Sequence, residues 1–377
     1  MSRLEHSGGK ILGEGNYGCA IYPALTCKDK SIVKRKNKIV DRELSGISEH
    51  QVGKLTTLKD AKHEYSISRD LESIPGSSEY FILVDNLCEP APRAEQTEKD
   101  LASCTVLKKT QLPLMTQITM PFGGKPLAMV PMRAASLDFL RLGQQILEGG
   151  TLLLMKEIVH YDLHRANILM ESKWKAKFID FGVSWKPHEL TENSIPPIYT
   201  YFNAKIVSES PEVSVISAII HGMSIEKAVD TVIQDKLPLR LYGILTNTSI
   251  QSIRRTLERF LETSWCFENE NWLVFFQLYW SKMDSWSIGV ILMNIYQHLL
   301  MDPEFTNSES YLNNKKMILD IIENMCSPDA GKRYDCARAL SVWAPNSPIL
   351  QHIDVQQWLE KETVVRKELD PILARIK

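Results

Sequence analysis

Asp162 and Asn167 stand five residues apart in "HYDLHRANIL" (160–169), and Asp180 follows thirteen residues after Asn167 in "FIDFG" (178–182). A carboxylate such as Asp162 can accept a hydroxyl proton. The carboxamide oxygen of Asn167 and the carboxylate of Asp180 are hard donors suited to magnesium. A proton acceptor beside two magnesium ligands is what transfer of a phosphoryl group to an alcohol requires. A polar surface loop followed by a chance "DFG" is the plain alternative, and the order of the remaining motifs argues against it.

Upstream, "GEGNYGCA" sets Gly13, Gly15 and Gly18 in G-x-G-x-x-G spacing. Residues without a Cβ let the backbone approach a polyphosphate and aim its N–H groups at it. Leu12, Gly13, Glu14, Gly15, Asn16, Tyr17, Gly18, Cys19 and Ala20 are therefore the candidate nucleotide contacts. A dinucleotide fold would follow such glycines with a long helix. Here "CAIYPAL" continues as strand to Pro23. Lys54 in "QVGKL" can bridge two phosphates if Glu64, on the next helix, holds its ammonium. Lys34 in "SIVKRK" is the rival lysine because it follows Gly18 more closely. Lys54 is preferred because a helix with an aligned glutamate follows it, and no such helix follows Lys34.

These residues need elements to hold them. Residues 11–22 read as strand, glycine turn and strand, and 28–50 as an inserted polar loop. A short strand spans 51–55, and 58–74 puts Ala61, Tyr65, Ile67, Leu71 and Ile74 near helical spacing. "EYFILV" (79–84) reads as a strand, 88–111 as a loop, and "PLMTQITMPFGGKPL" as a strand entering a Gly-Gly turn. A helix is expected over 137–159, interrupted by Gly149 and Gly150. "NILMES" and "AKFIDFG" make a hairpin that would carry Asn167 and Asp180 to one point. From about 213 to 360 the pattern is helical, so the fold class is α+β.

With 377 residues the chain is long enough for two lobes, and 44% hydrophobic with 24% charged residues is ordinary for a globular protein. A net charge of −2 gives no field that would favour nucleic acid. The longest apolar stretch, "WSIGVILMNIY", is too short to span a bilayer, so no membrane insertion is expected. "MSRLEHSGGK" carries no apolar signal core, and Ser2 excludes a myristoylation signal. Seven scattered cysteines include no C-x-x-C pair, which suggests neither a zinc site nor a disulfide framework. The expectation is a reducing, aqueous compartment.

Taken in order, the glycine loop, strand lysine, helix glutamate, "HYDLHRAN" and "DFG" resemble the eukaryotic-type protein kinases. "SPE" (210–212) is similar to that family's "APE", and "DSWSIGVIL" (284–292) to its D-x-W-S-x-G helix. "DAGKRYDCARAL" (329–340) is similar to the helix whose arginine, here Arg333, pairs with the "SPE" glutamate, Glu212. The resemblance spans residues 10 to 342. "YGCAIYPALTCK", "VGKL" and "AKHEY" are similar, more narrowly, to the divergent kinases of large nucleocytoplasmic DNA viruses.

The resemblance implies a bilobal kinase-like fold: a tail (1–9), a small antiparallel-sheet nucleotide lobe (10–122), a larger helical lobe (123–345) and a helical extension (346–377). It implies ATP and Mg²⁺ as cofactors and Ser or Thr hydroxyls of proteins as acceptors. Asp162 would be the base, Lys54 and Glu64 the phosphate-orienting pair, Asn167 and Asp180 the metal ligands, and "QITMPFGGKPL" the adenine hinge. A cytoplasmic location follows, in a host cell or virion if the chain is viral.

Departures from the family carry information. Tyr161 replaces the arginine that gathers an activation-loop phosphate, and His164 stands where Ser/Thr kinases have lysine. "DLH" also resembles aminoglycoside and choline kinases, so a small-molecule kinase is one rival. An inactive binding module on the same fold is another. Glu212 and Asp284 are 72 residues apart, far more than the family has. The extra segment, 213–280, is either helical decoration or a docking surface for a protein partner; it includes the amphipathic "SIQSIRRTLERFLETSW".

Overall fold

The computed structural model describes residues 10–15, 18–28, 51–93, 96, 104, 107, 111–192 and 202–361. Asn16, Tyr17, Lys34, nearly all of the 28–50 loop, the 1–9 tail and 362–377 lie outside the described residues. The chain is mixed α and β and divides into two units, residues 1–124 with 179–182, and 125–178 with 183–377.

The first unit is built on an antiparallel sheet in the order β1-β2-β3-β5-β4. Its strands are β1 (Lys10–Gly15), β2 (Gly18–Tyr22), β3 (Gln51–Thr56), β4 (Asn86–Cys88) and β5 (Thr116–Pro121). One residue after β3, helix α1 (Leu58–Glu72) begins, with the Thr57 hydroxyl accepting from the Asp60 N–H at 3.2 Å. Its buried positions are Ala61, Glu64, Ile67, Ser68 and Leu71. Glu64 thus occupies a place on the inward stripe that hydrophobic spacing would give to an apolar side chain.

Two expectations fail here. "EYFILV" is not a strand, although Phe81, Ile82 and Val84 are buried. The backbone of Val84 is satisfied from α1 instead: its N–H donates to the Ser68 Oγ, and its carbonyl accepts from Arg69. The ladder with β5 starts at Asn86. The second failure is the cysteines, for disulfides join Cys19 to Cys104 and Cys27 to Cys88. The partners are 85 and 61 residues apart, so no local spacing announces them. The argument for a reducing compartment falls with that expectation.

The second unit contains a three-stranded antiparallel sheet, β6 (Lys125–Pro126), β7 (Ile168–Met170) and β8 (Ala176–Phe178). Helix α2 (Phe139–Met155) is capped by Asp138 and runs without a break through Gly149 and Gly150. The glycines are there for packing. A Cβ on Gly150 would sit 2.6 Å from Ile288 Cδ1 and 2.7 Å from Cys336 Sγ.

The expected helical region begins with α3 (Pro211–Ile220), α4 (Ile225–Asp235), α5 (Leu237–Thr246) and α6 (Ile250–Thr263). Short helices α7 (Trp265–Glu268) and α8 (Trp272–Tyr279) lead to α9 (Met283–Leu299), which is buried along most of its length. Then come α10 (Pro303–Thr306), α11 (Glu309–Met325) and α12 (Cys336–Trp343). The apolar stripe of α6, Ile253, Leu257, Phe260 and Leu261, is buried within the unit, so that face serves internal packing. Among the described residues, no helix is long and apolar enough to cross a membrane.

Candidate active site

Lys54 lies in β3, opposite Ala20 of β2 and Ile118 of β5. Its ammonium donates to Glu64 Oε2 at 2.7 Å and to Asp180 Oδ1 at 2.6 Å. The side chains of Lys54 and Glu64 are 12% and 3% exposed, whereas Asp180 is 42% exposed. A buried charge requires a partner, and this explains the carboxylate on the inward stripe of α1. Burial alone would draw the Lys54 ammonium down, but the two carboxylates outweigh it and hold the group above its usual range. Burial pushes the Glu64 carboxyl up, with Asp180 adding like charge and Lys54 opposing both. Two carboxylates share one ammonium, and Asp180 is the more exposed of the two.

Asp180 has φ 66°, in the left-handed region, and its Oδ1 also accepts from the Gly182 N–H at 3.4 Å. Sparsely populated backbone persists where surrounding structure fixes it, and it clusters at functional sites.

In the second unit, the loop 160–167 is held from below by Asp284 in the first turn of α9. The N–H groups of His160 and Tyr161 donate to the Asp284 oxygens at 2.6 and 2.9 Å. Tyr161 takes φ 72°, an uncommon conformation for a bulky residue. Burial pushes the Asp284 carboxyl up against the opposing effect of His160 and the two N–H donors. Asn167 donates Nδ2 to the Asp162 carbonyl at 2.9 Å and more distantly to its Oδ2 at 3.4 Å. This commits the amide nitrogen and leaves the Asn167 carbonyl oxygen as the group suited to a hard cation. The Asp162 side chain is 47% exposed, with His164 Nε2 3.7 Å from its Oδ2.

The glycine strand shows two different requirements. A Cβ on Gly18 would meet the Leu55 carbonyl oxygen at 2.0 Å, so this glycine lets β2 approach β3. Around Gly13 a Cβ would meet nothing within 4 Å, and the β1–β2 register shifts between Ile11 and Gly13. Leu12, in that irregularity, is exposed. Glu14 and Gly15 pair with Cys19 and Gly18, and Ala20 is half-buried. Cys19 corrects one expectation: its side chain is buried in the disulfide with Cys104 and offers a ligand only its backbone.

The structure therefore brings Lys54, Glu64 and Asp180 together in the first unit, and Asp162 with Asn167 in the second. No cluster of three or more His, Cys, Asp or Glu side chains suited to a metal is found among the described residues. Magnesium commonly takes only one or two protein carboxylates and completes its shell with phosphate and water, and the Asp180 carboxylate and the Asn167 carboxamide oxygen are each hard donors of the kind it accepts. Sequence reasoning missed the anchoring role of Asp284, whose signal was one acid opening an otherwise apolar helix. It also missed Lys236, fully buried at the α4–α5 junction, for which "DKLPL" offers no signal of burial. No protein-family model matches the chain, and no curated protein matches it.

Proposed function

We propose that the chain is a protein kinase of the Ser/Thr type, with the bilobal kinase-like fold, the first unit being its small lobe and the second its large lobe. The observation that carries this reading is the double ion pair of Lys54 with Glu64 and Asp180, which joins β3, α1 and the "DFG" turn. A lysine fixed in this way can orient the α and β phosphates of ATP. Asn167 and Asp180 would hold Mg²⁺, which when bound neutralises phosphate charge. Backbone N–H groups around Gly13, Gly15 and Gly18 would cover the phosphates.

Asp162 accepts the proton of a Ser or Thr hydroxyl as its oxygen bonds to the γ-phosphorus. The bond from that phosphorus to the β–γ bridging oxygen breaks, and ADP leaves. The buried bidentate pair of Arg333 with Glu212 favours a protein acceptor, because it braces the segment across which a polypeptide would lie.

The test is ATP-dependent phosphate incorporation into a mixed protein substrate, with aminoglycosides, choline and sugars assayed in parallel. Asp162→Asn should lower the rate by about 10²–10⁴ while ATP still binds. Turnover of a small alcohol with none on protein would overturn the reading, as would wild-type turnover by the variant.

A further inference from the structure

Between residues 206 and 209 the chain forms no helix or strand, yet four successive carbonyls are each held by a side chain. Those of Ile206 and Glu209 accept from Lys236 Nζ, both at 2.9 Å. The Val207 carbonyl accepts from Trp286 Nε1 at 3.1 Å, and that of Ser208 from Ser287 Oγ at 2.7 Å. A backbone without a ladder must find partners elsewhere, and here one ammonium supplies half of them. Trp286 and Ser287 belong to α9. Lys236 comes from the inserted helices, where α4 ends and α5 begins.

The surroundings make Lys236 unusual. It is 0% exposed, a position lysine almost never takes without a compensating role. The break between α4 and α5, enforced by Pro238 in the first turn of α5, sets it beside the segment that enters α3. The Glu209 side chain accepts from Ser214 Oγ, and Glu212 is taken up by Arg333, so both carboxylates have other donors.

We infer that Lys236 is a positioning residue: a buried cation delivered by the insertion that clamps segment 206–209 beside Glu212 in its working conformation, without a phosphate. The functional half of this inference rests on the protein-kinase reading, in which that segment borders the polypeptide acceptor. Tyr161 stands where the phosphate-gathering arginine would be, and Lys236 supplies positive charge to the same stretch of chain from another direction. The insertion then has a task in the catalytic unit: it anchors, with a side chain already in place, a segment that an added phosphate would otherwise fix.

Three measurements test this. In the wild-type protein, the amides of Ser208, Glu209 and Ser210, which the clamp keeps buried, should exchange with solvent far more slowly than unstructured chain; exchange at the rate of free peptide would overturn the clamp. In Lys236→Met, which keeps the chain length without the donors, the same amides should exchange faster. Its KM for protein should rise by about tenfold or more, the scale of losing charge-assisted hydrogen bonds, with KM for ATP unchanged. Lys236→Gln returns an N–H donor and should recover part of both effects; it is read alone if the Met variant does not fold. Wild-type KM for protein in a folded Met or Gln variant would overturn the inference. If wild-type enzyme phosphorylates no protein, the kinase reading fails, and the exchange measurements still decide the clamp.

Discussion

Arg333 and Glu212 meet through two parallel hydrogen bonds, Nη1 to Oε1 at 2.8 Å and Nη2 to Oε2 at 2.9 Å, with side chains 0% and 1% exposed. The residues are 121 apart in sequence. The guanidinium also donates to the Ser327 and Lys282 carbonyls and lies 5.2 Å from the Trp286 ring centroid. A planar fork matched to a carboxylate is the geometry that arginine provides and lysine does not.

Removing either partner strands a buried charge. Arg333→Ala should cost roughly 3–5 kcal/mol, measured by urea unfolding, with Arg333→Lys intermediate. A loss below 1 kcal/mol, within the ~0–1 kcal/mol range of an exposed pair, would mean that the pair is not fixed as described.

Lys54 and Lys34 separate cleanly by substitution. Lys54→Met should abolish phosphoryl transfer, because it removes the cation from between Glu64 and Asp180, while Lys34→Met should leave transfer unchanged. Side-by-side phosphate incorporation checks both. The reverse pattern would leave the Glu64 pairing without its assigned role.

Two glycines of the same motif should respond oppositely. Gly18→Ala forces its new methyl against the Leu55 carbonyl and should destabilise the chain by about 1–3 kcal/mol, as overpacking does. Gly13→Ala meets open space and should change stability by less than about 0.5 kcal/mol. If ATP phosphates approach Gly13, the same methyl should weaken ATP binding. Thermal melting and ATP titration of the two variants give both answers.

Lys236 predicts a pH dependence of stability. Burial lowers its ammonium to about 8 against the pull of Glu209 and Glu212, from an unfolded value of 10.5. Between those two values the unfolded chain binds more protons than the folded one, so this group's contribution to stability grows as pH rises through that window. Burial pushes the Glu209 carboxyl up, with Lys236 opposing it. Urea unfolding at pH 7.5 and 9.5 should show wild type gaining on Lys236→Met, by at most about 3 kcal/mol. A difference that stays constant would refute the shifted lysine.

Sequence alone disclosed those parts of the site where chemistry and local order coincide. The pairing of Lys54 with Glu64 was legible because a helix with a glutamate at the right turn follows within a few residues. The β7–β8 hairpin was legible because its length fits two short strands. "EYFILV" misled because apolar β-formers normally pair, and only the fold shows that Ser68 and Arg69 take the Val84 backbone from α1. Gly149 and Gly150 suggested a broken helix because propensity cannot see Phe178, Ile288 and Cys336 pressing on the absent Cβ atoms. Lys236 was invisible for the same reason: burial of a lysine depends on what packs around it.

The cysteine pairs have a topological consequence. The Cys27–Cys88 link lies wholly inside the span of Cys19–Cys104, so the two covalent rings are nested. With the inner ring closed, the outer link bridges only a separation of eight positions from Cys19 to Cys27 and sixteen from Cys88 to Cys104. In the chain-entropy account the inner ring restrains the unfolded chain by about 4 kcal/mol and the outer adds about 3 kcal/mol. Cys266, Cys326 and Cys336 are free thiols in the other unit. A reductant therefore acts on one unit alone: it would loosen the sheet that carries Lys54 and leave every covalent bond around Asp162 as it was.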